Sequence, residues 1–113
     1  MIFVAIYAVL RLVMGGRVDR SADLPSLLAS GAKLIDVRTP GEFARHHAEG
    51  AINVPLNTLP GGLGKKVKKD QTIIVYCHSG SRSNMAKKIL QKAGYENVVN
   101  AGSLHRVSQI LKK

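Results

Sequence analysis

The sequence predicts one α/β domain with a mainly parallel central sheet and helices on both faces. Short runs rich in β-branched residues alternate with amphipathic helical patterns, and this alternation favours a parallel sheet covered by helices. The chain has 113 residues, enough for one hydrophobic core. Its composition, 45% hydrophobic and 21% charged, indicates a globular protein. We therefore divide it into an apolar N-terminal segment, residues 1–16, and one domain, residues 17–113.

The N-terminal segment is almost wholly apolar, interrupted by Arg11. As a helix its first 14 residues span roughly 21 Å, less than the ~30 Å hydrocarbon core of a bilayer. Three interpretations stay open: a short membrane anchor or interfacial helix, an atypical signal peptide, or an element packed on the domain or on a second subunit. An anchor followed by arginines predicts a membrane-associated protein with its domain on the cytoplasmic side. A cleaved signal predicts a periplasmic or secreted domain instead.

The first half of the domain has clear helix-start patterns. Ser21 is suited to cap a helix that Gly31 ends. Thr39, Pro40 and Glu42 have the spacing of a capping box with proline at the first helical position. In chain order, the predicted elements are an edge strand at 17–19, a helix at 21–31, a strand at 34–37, a helix from 40 that extends at most to His46 and His47, and a strand at 51–54.

The second half contains the longest apolar run, residues 72–76, which predicts a buried strand. The helix after it has Ser81 or Ser83 as its predicted N-cap and Gly94 as its end. Pro60-Gly61-Gly62 should break any helix between 56 and 64. The remaining predicted elements are one or two helical turns at 63–69, a helix at 84–94, a strand at 95–100 and a helix at 104–111.

The one cysteine, Cys77, stands where the buried strand ends and the next helix begins. A helix N-terminus lowers the pKa of a nearby thiol and favours the reactive thiolate. Gly80 allows the loop to curl so that its amides point inward, and Arg82 adds a cation with planar donors. The alternative is a small buried hydrophobic residue beside an ordinary turn. We favour a thiolate that faces an anion.

The loop Cys77-x-x-Gly80-x-Arg82-Ser83 resembles the active-site loop of the rhodanese sulfurtransferases. The stretch 34–56, with Asp-Val-Arg, then Glu-Phe, then a final Pro-Leu, is similar to the upstream signature of that family. The resemblance extends from about residue 17 to residue 113. It implies the α/β rhodanese fold, with the cysteine at the carboxyl end of a strand.

The resemblance also implies a function and a set of site residues. It implies transfer of sulfane sulfur from thiosulfate or polysulfide to a thiol or to cyanide, through a persulfide on the catalytic Cys77. Arg82 then holds the oxyanion end of the donor. The other predicted substrate-binding residues are His78, Ser79, Gly80, Ser81 and Ser83. The predicted structural supports are Asp36, Arg38 and Glu42, with an Arg38–Glu42 or an Asp36–backbone interaction. No cofactor and no metal is predicted.

Two other functions compete with sulfur transfer. Phosphatases and arsenate reductases also pair a nucleophilic cysteine with an arginine, and protein tyrosine phosphatases place five residues between the two. Here four residues separate Cys77 from Arg82, and the tighter loop suits a persulfide better than a phosphate. The second alternative is a non-catalytic or sulfur-carrier module that acts as a membrane-tethered binding partner.

The net charge of +10 bears on partners. Most of the lysines are expected to be solvated, while the positive field draws small anionic sulfur donors toward the loop. Anionic lipid is a possible partner, and nucleic acid is not expected because the chain has two phenylalanines, three tyrosines, no tryptophan and no recognisable motif. A single cysteine leaves no resolving thiol in the sequence, so the predicted acceptor is an outside thiol or another subunit.

Overall fold

The structure, a computed structural model, describes residues 18–112. Within them, the elements in chain order are α1 (Leu24–Ala29), β1 (Lys33–Asp36), α2 (Pro40–Arg45), β2 (Ile52–Asn53), β3 (Thr72–Cys77), α3 (Ser81–Lys92), β4 (Asn97–Ser103) and α4 (Leu104–Leu111). Two 3-10 turns, Leu56–Thr58 and Gly61–Leu63, lie between β2 and β3. The predicted alternation of strands and helices is confirmed.

The four strands form one parallel sheet in the order β2-β1-β3-β4. Strand β3 is central, and its Ile74 lies opposite Leu34 of β1. Because parallel neighbours need crossover connections, the helices cover both faces of the sheet. The same arrangement brings the carboxyl ends of β1 and β3, at Asp36 and Cys77, to one edge. The predicted fold class is therefore correct.

Alternate residues of β3 face opposite sides of the sheet. Ile73, Val75 and Cys77 belong to the core cluster that α3 covers. Ile74 and Tyr76 belong to the cluster on the other face, which α1 and α4 cover. All five side chains are fully buried, and burying a large apolar side chain contributes about 1.5–3 kcal/mol. Cys77 is thus the last residue of the row that faces α3.

The capping box predicted for α2 is present. Thr39 Oγ1 accepts from the Glu42 amide at 3.2 Å, and Glu42 Oε1 accepts from the Thr39 amide at 3.0 Å. The helix ends at Arg45, because His46 has an extended backbone (φ −169°, ψ 136°). His46 and His47 therefore lie outside α2, contrary to its longest predicted form.

Helix α1 begins later than predicted. Its N-cap is Asp23, whose carboxylate accepts from the Ser26 amide at 3.1 Å, and Ser21 is not the cap. The cap position is fixed by Pro25, which lies in the first turn, where proline needs no amide partner. The predicted end is confirmed, since Gly31 follows the helix with φ +101°.

The segment between β2 and β3 differs from the prediction. Instead of helical turns at 63–69, a 3-10 turn forms earlier, at Gly61–Leu63. A 3-10 turn needs one i→i+3 hydrogen bond, here from the Gly64 amide to the Gly61 carbonyl at 2.9 Å. Glycines break an α-helix but tolerate such a turn. The observed strands are also offset by one to three residues at several ends, with β1 at Lys33–Asp36 and β4 at Asn97–Ser103.

Val18 and Asp19, where the described chain begins, are not in a strand, so the described part of the predicted edge strand is wrong. Asp19 instead binds across the edge of β4: its amide donates to the Asn100 carbonyl at 2.8 Å, and its carboxylate accepts from the Asn100 amide at 2.8 Å. That carboxylate also pairs with Lys87 at 2.7 Å. The apolar segment 1–16 lies outside the described residues. Between Val18 and Lys112, no helix combines the length and the apolar character needed to cross a membrane.

Candidate active site

Cys77 is the last residue of β3, and its side chain is fully buried as a free thiol. Three residues, 78–80, connect it to α3, which begins at Ser81 and is 12 residues long. The alternation of β3 directs the sulfur toward the side of the sheet that α3 covers. The sulfur therefore lies at the carboxyl end of a parallel strand and at the N-terminal end of a helix, where free amides favour negative charge.

Hydrogen-bond donors converge on the sulfur. The Gly80 amide donates to Cys77 Sγ at 2.9 Å, and Ser83 Oγ lies 3.5 Å from the same sulfur. Burial by itself raises the pKa of the Cys77 thiol. Hydrogen bonds from the Ser83 hydroxyl and from the amides of Ser83, Gly80 and Ser79 outweigh burial, and the net pKa lies below its usual value.

Gly80, and not a serine, is the N-cap of α3. Its φ of +102° is in the left-handed region, which a residue with a side chain rarely adopts, and this turn directs its amide at the sulfur. The predicted N-cap role of Ser81 or Ser83 is wrong, because both residues lie inside the helix. The loop reverses so sharply after Cys77 that the helix starts before either serine can cap it.

Ser83 instead faces the reactive sulfur. It is fully buried in the first turn of α3, and its hydroxyl donates to the Gly80 carbonyl at 3.0 Å. The neutral Cys77 thiol donates to Ser83 Oγ. When the thiol loses its proton, the serine proton can turn to the thiolate, because a hydroxyl rotates freely. Ser83 can therefore interact with both protonation states of the sulfur.

Arg82 does not present a free cation to the loop. Its guanidinium forms a two-pronged ion pair with Glu42, with Nη1–Oε1 at 2.6 Å and Nη2–Oε2 at 2.9 Å. The predicted Arg38–Glu42 contact is replaced by this pair. Hydrogen bonding to Arg82, followed by bonds from Thr39, holds the pKa of Glu42 far below its usual range. The pair with Glu42 also raises the pKa of Arg82.

Asp36 and Arg38 form a buried pair behind the loop. The two side chains are 0% and 5% exposed, and Arg38 Nη2 lies 2.7 Å from Asp36 Oδ2. Asp36 Oδ1 also accepts from the Arg38 amide at 2.8 Å, which is the predicted Asp36–backbone interaction. Arg38 donates further to the His46 carbonyl at 2.5 Å. The pair thus holds the residues that follow β1 against the segment that follows α2. This position is consistent with structural support of the loop.

The other loop side chains lie at the surface. His78, Ser79 and Ser81 are exposed, and the two serine hydroxyls are 3.4 Å apart. They are placed to form the rim around the buried sulfur, while their roles in binding a substrate stay predictions. No cluster of three or more His, Cys, Asp or Glu side chains suited to a metal ion occurs among residues 18–112.

Comparison with known proteins agrees with this fold. The model of the rhodanese-like domain matches residues 21–106. Thiosulfate sulfurtransferase PspE of Escherichia coli K12 is 41% identical over 75 residues, which are 66% of this chain and 72% of the relative. A solved E. coli rhodanese with bound anions is 38% identical, with a TM-score of 0.64, over 69% of this chain and 93% of that one. The human single-domain sulfurtransferase TSTD1 is 29% identical, with a TM-score of 0.69, over 80% and 92%.

Proposed function

Because this chain belongs to the family of rhodanese-like domains, we propose that it moves sulfane sulfur from thiosulfate or a polysulfide to a thiol, through a persulfide on Cys77. Relatives named as sulfurtransferases support a transferase of the rhodanese type. The identity of the donor, the persulfide intermediate and the identity of the acceptor are proposed here for this chain.

One observation carries the proposal: the Cys77 sulfur lies 2.9 Å from the Gly80 amide at the start of α3. Amides arranged in this way stabilise negative charge on sulfur without having to reorganise during the reaction. A thiolate is also the nucleophilic form of cysteine. The surroundings of the sulfur therefore suit both a thiolate and the persulfide anion that follows it.

In the first step, the Cys77 thiolate attacks the outer sulfur of thiosulfate. A new S–S bond forms to Cys77 while the bond between the two thiosulfate sulfurs breaks, and its electron pair leaves with sulfite. One thiolate and one thiosulfate dianion give one persulfide anion and one sulfite dianion, so charge is conserved. The amides of Ser79, Gly80 and Ser83 then face the bound persulfide.

In the second step, an acceptor nucleophile attacks the terminal sulfur and Cys77 leaves as a thiolate. Cyanide takes the sulfur as thiocyanate, and a thiol takes it as a new persulfide. The sequence contains one cysteine, so the acceptor thiol is not another cysteine of this sequence. The same persulfide would serve a carrier that passes its sulfur to a protein.

Mass spectrometry of the intact protein after mixing with thiosulfate tests the proposal, with the Cys77→Ser variant beside it. We expect a gain of one sulfur atom that disappears when cyanide is added. The serine variant should keep its fold, because serine has the same branching as cysteine and only a smaller atom in place of the sulfur, and it should gain no sulfur. If the variant transfers sulfur, or if the unaltered protein gains none from thiosulfate or from polysulfide, the proposal is wrong.

A further inference from the structure

The ion pair between Arg82 and Glu42 lies at the rim of the candidate active site. Arg82 follows the Cys77 loop in the first turn of α3, and Glu42 lies in the first turn of α2. Their side chains are 34% and 30% exposed, so the pair is in contact with solvent. The pair with Glu42 raises the pKa of Arg82 most, and Arg82 is also close enough to Cys77 for the charge of that residue to raise it. Both N–O distances are below 3 Å, which makes this a fork-to-fork contact between guanidinium and carboxylate.

Glu42 is held in place independently of Arg82. Its Oε1 accepts from the Thr39 amide at 3.0 Å and from the Thr39 hydroxyl at 3.1 Å, as part of the capping box. These bonds and Arg82 lower the pKa of the carboxyl group, so Glu42 stays ionised at neutral pH. A preorganised carboxylate of this kind competes with an incoming anion for the Arg82 donors.

The pair also changes the charge that a donor meets. An unpaired arginine beside the sulfur would attract a dianion, whereas this arginine is neutralised by a carboxylate at hydrogen-bond distance. Two of its N–H groups are already used. The inward amides of the loop are left to hold negative charge, and they suit the single charge of a persulfide.

We propose that Glu42 is a specificity-determining residue, which withholds Arg82 from dianionic oxyanions and directs the site toward small organic persulfides, whose charge is lower. This inference rests on the proposed function, because it concerns the sulfur donor for Cys77. With a persulfide donor, the Cys77 thiolate takes the outer sulfur of R–S–SH and R–S⁻ leaves with the electron pair of the broken bond. One thiolate is consumed and one is released, so no second negative charge has to be accommodated.

The Glu42→Gln variant tests the inference. Glutamine preserves the capping box, since its side-chain oxygen also accepts from the N-cap amide, but it removes the charge. We expect the KM for thiosulfate to fall roughly three- to tenfold, because one repulsive charge near a dianion is lost in a partly solvated site. The KM for a small alkyl persulfide should change by less than about twofold on the same grounds.

The matched control is Glu96→Gln, which changes the net charge equally. Glu96 is exposed and lies just before β4, at the sheet edge opposite Cys77. Its KM for both donors should stay near that of the unaltered protein. Equal shifts in the two charge variants would mean that overall charge, and not Glu42, sets the affinity, and would overturn the inference.

A binding measurement separates this inference from the proposed function. Thiosulfate binding is compared by calorimetry between the Cys77→Ser protein and the Cys77→Ser/Glu42→Gln protein, neither of which needs to turn over. Tighter binding to the double variant, by roughly three- to tenfold, supports the inference even if no sulfur transfer is found. Unchanged binding shows that Glu42 only caps α2, even if the protein proves to be a sulfurtransferase.

Discussion

The hydroxyl proton of Ser83 has three acceptors within reach, namely the Gly80 carbonyl, the Gly102 carbonyl and the Cys77 sulfur. The Ser83 hydroxyl therefore contributes part of the stabilisation of the Cys77 thiolate. Removing the hydroxyl in Ser83→Ala should raise the pKa of Cys77 by about one to two pH units, since a hydrogen bond to a charged group is worth about 1.5–3 kcal/mol. The pH dependence of the alkylation rate of Cys77 measures this shift directly.

The thiolate is the form of Cys77 that is alkylated, and this fixes the direction in which the pH profile shifts. The alkylation rate follows the thiolate fraction, so a higher pKa moves the midpoint of the rate profile to higher pH. Ser81→Ala is the control, because Ser81 makes the same chemical change from an exposed position where its hydroxyl contacts Ser79. A midpoint that does not move in Ser83→Ala, or that moves equally in Ser81→Ala, would contradict this role of the buried hydroxyl.

Single residues were predictable from the sequence when their partner was close in the chain. Thr39 and Glu42 are three residues apart, and their capping box was evident from spacing. Arg82 was predicted to hold an anion, but its partner in the structure is Glu42, 40 residues away. No local pattern shows whether Glu42 will pair with Arg38 or with Arg82, since that depends on how α2 and α3 pack together.

At the scale of elements, the turn from β3 into α3 depends on one backbone conformation. Gly80 has φ +102°, and a Cβ there would meet Gly102 Cα at an ordinary 3.7 Å, so substitution brings backbone strain rather than a clash. We expect Gly80→Ala to lose about 1–2 kcal/mol of stability. It should also lower kcat/KM roughly tenfold, because the amide that donates to Cys77 shifts when φ relaxes. Thermal unfolding and steady-state kinetics measure the two effects.

Gly94→Ala is a matched control for the same strain. Gly94 follows α3 with φ +99°, and a Cβ there would also meet only ordinary contacts, at 3.7 Å from Lys69. It should lose similar stability and keep its activity, because it lies at the far end of the helix from Cys77. Equal losses of activity in both variants would show that the Gly80 effect comes from stability alone.

The elements themselves were largely evident in the sequence. Helix α4 has the predicted bounds, and the ends of α1 and α3 were correctly placed at Gly31 and Gly94. The starts of α1 and α3 were wrong for one reason: several suitable caps lie near each start, Ser and Asp residues at α1 and serines at α3. Asp23 is the N-cap of α1 because a proline lies in the first turn of that helix, and Gly80 is the N-cap of α3 because the chain reverses sharply after β3. These choices depend on backbone geometry that composition does not contain.

At the scale of the whole molecule, the α/β class was predictable because strand and helix patterns alternate along the sequence. A contact between distant parts was not predictable: Asp19 binds Lys87 at 2.7 Å and the Asn100 amide at 2.8 Å. Val18 lies close over Gly102, where an added Cβ would be 2.7 Å from its Cγ2. The family match begins at residue 21, so Val18 and Asp19 lie just outside the matched region, while their partners lie within it.

Two truncations separate the roles of the N-terminal residues. A chain that starts at residue 17 should be freely soluble and fully active, because it keeps Val18 and Asp19. A chain that starts at Ser21 loses the Asp19 hydrogen bonds and the cover of Gly102. We expect a loss of about 1 kcal/mol, which lowers the Tm of a domain this size by about 4–8 °C. Calorimetry and solubility without detergent measure the outcome.

The chain that starts at residue 17 also tests whether residues 1–16 are a membrane anchor, which stays a prediction. A membrane anchor contributes nothing to the domain core, so its removal should leave Tm and kcat/KM unchanged while membrane binding is lost. If the chain from residue 17 unfolds, the segment is part of the core and the anchor interpretation is wrong. If both truncated chains have the same Tm, Asp19 and Val18 do not stabilise the edge of β4. Val18, the first described residue, lies near the Cys77 loop, because its Cγ2 is 3.9 Å from a Cβ added at Gly80. If residues 1–16 do anchor the protein, vesicle-bound and free protein should differ in KM for an anionic donor.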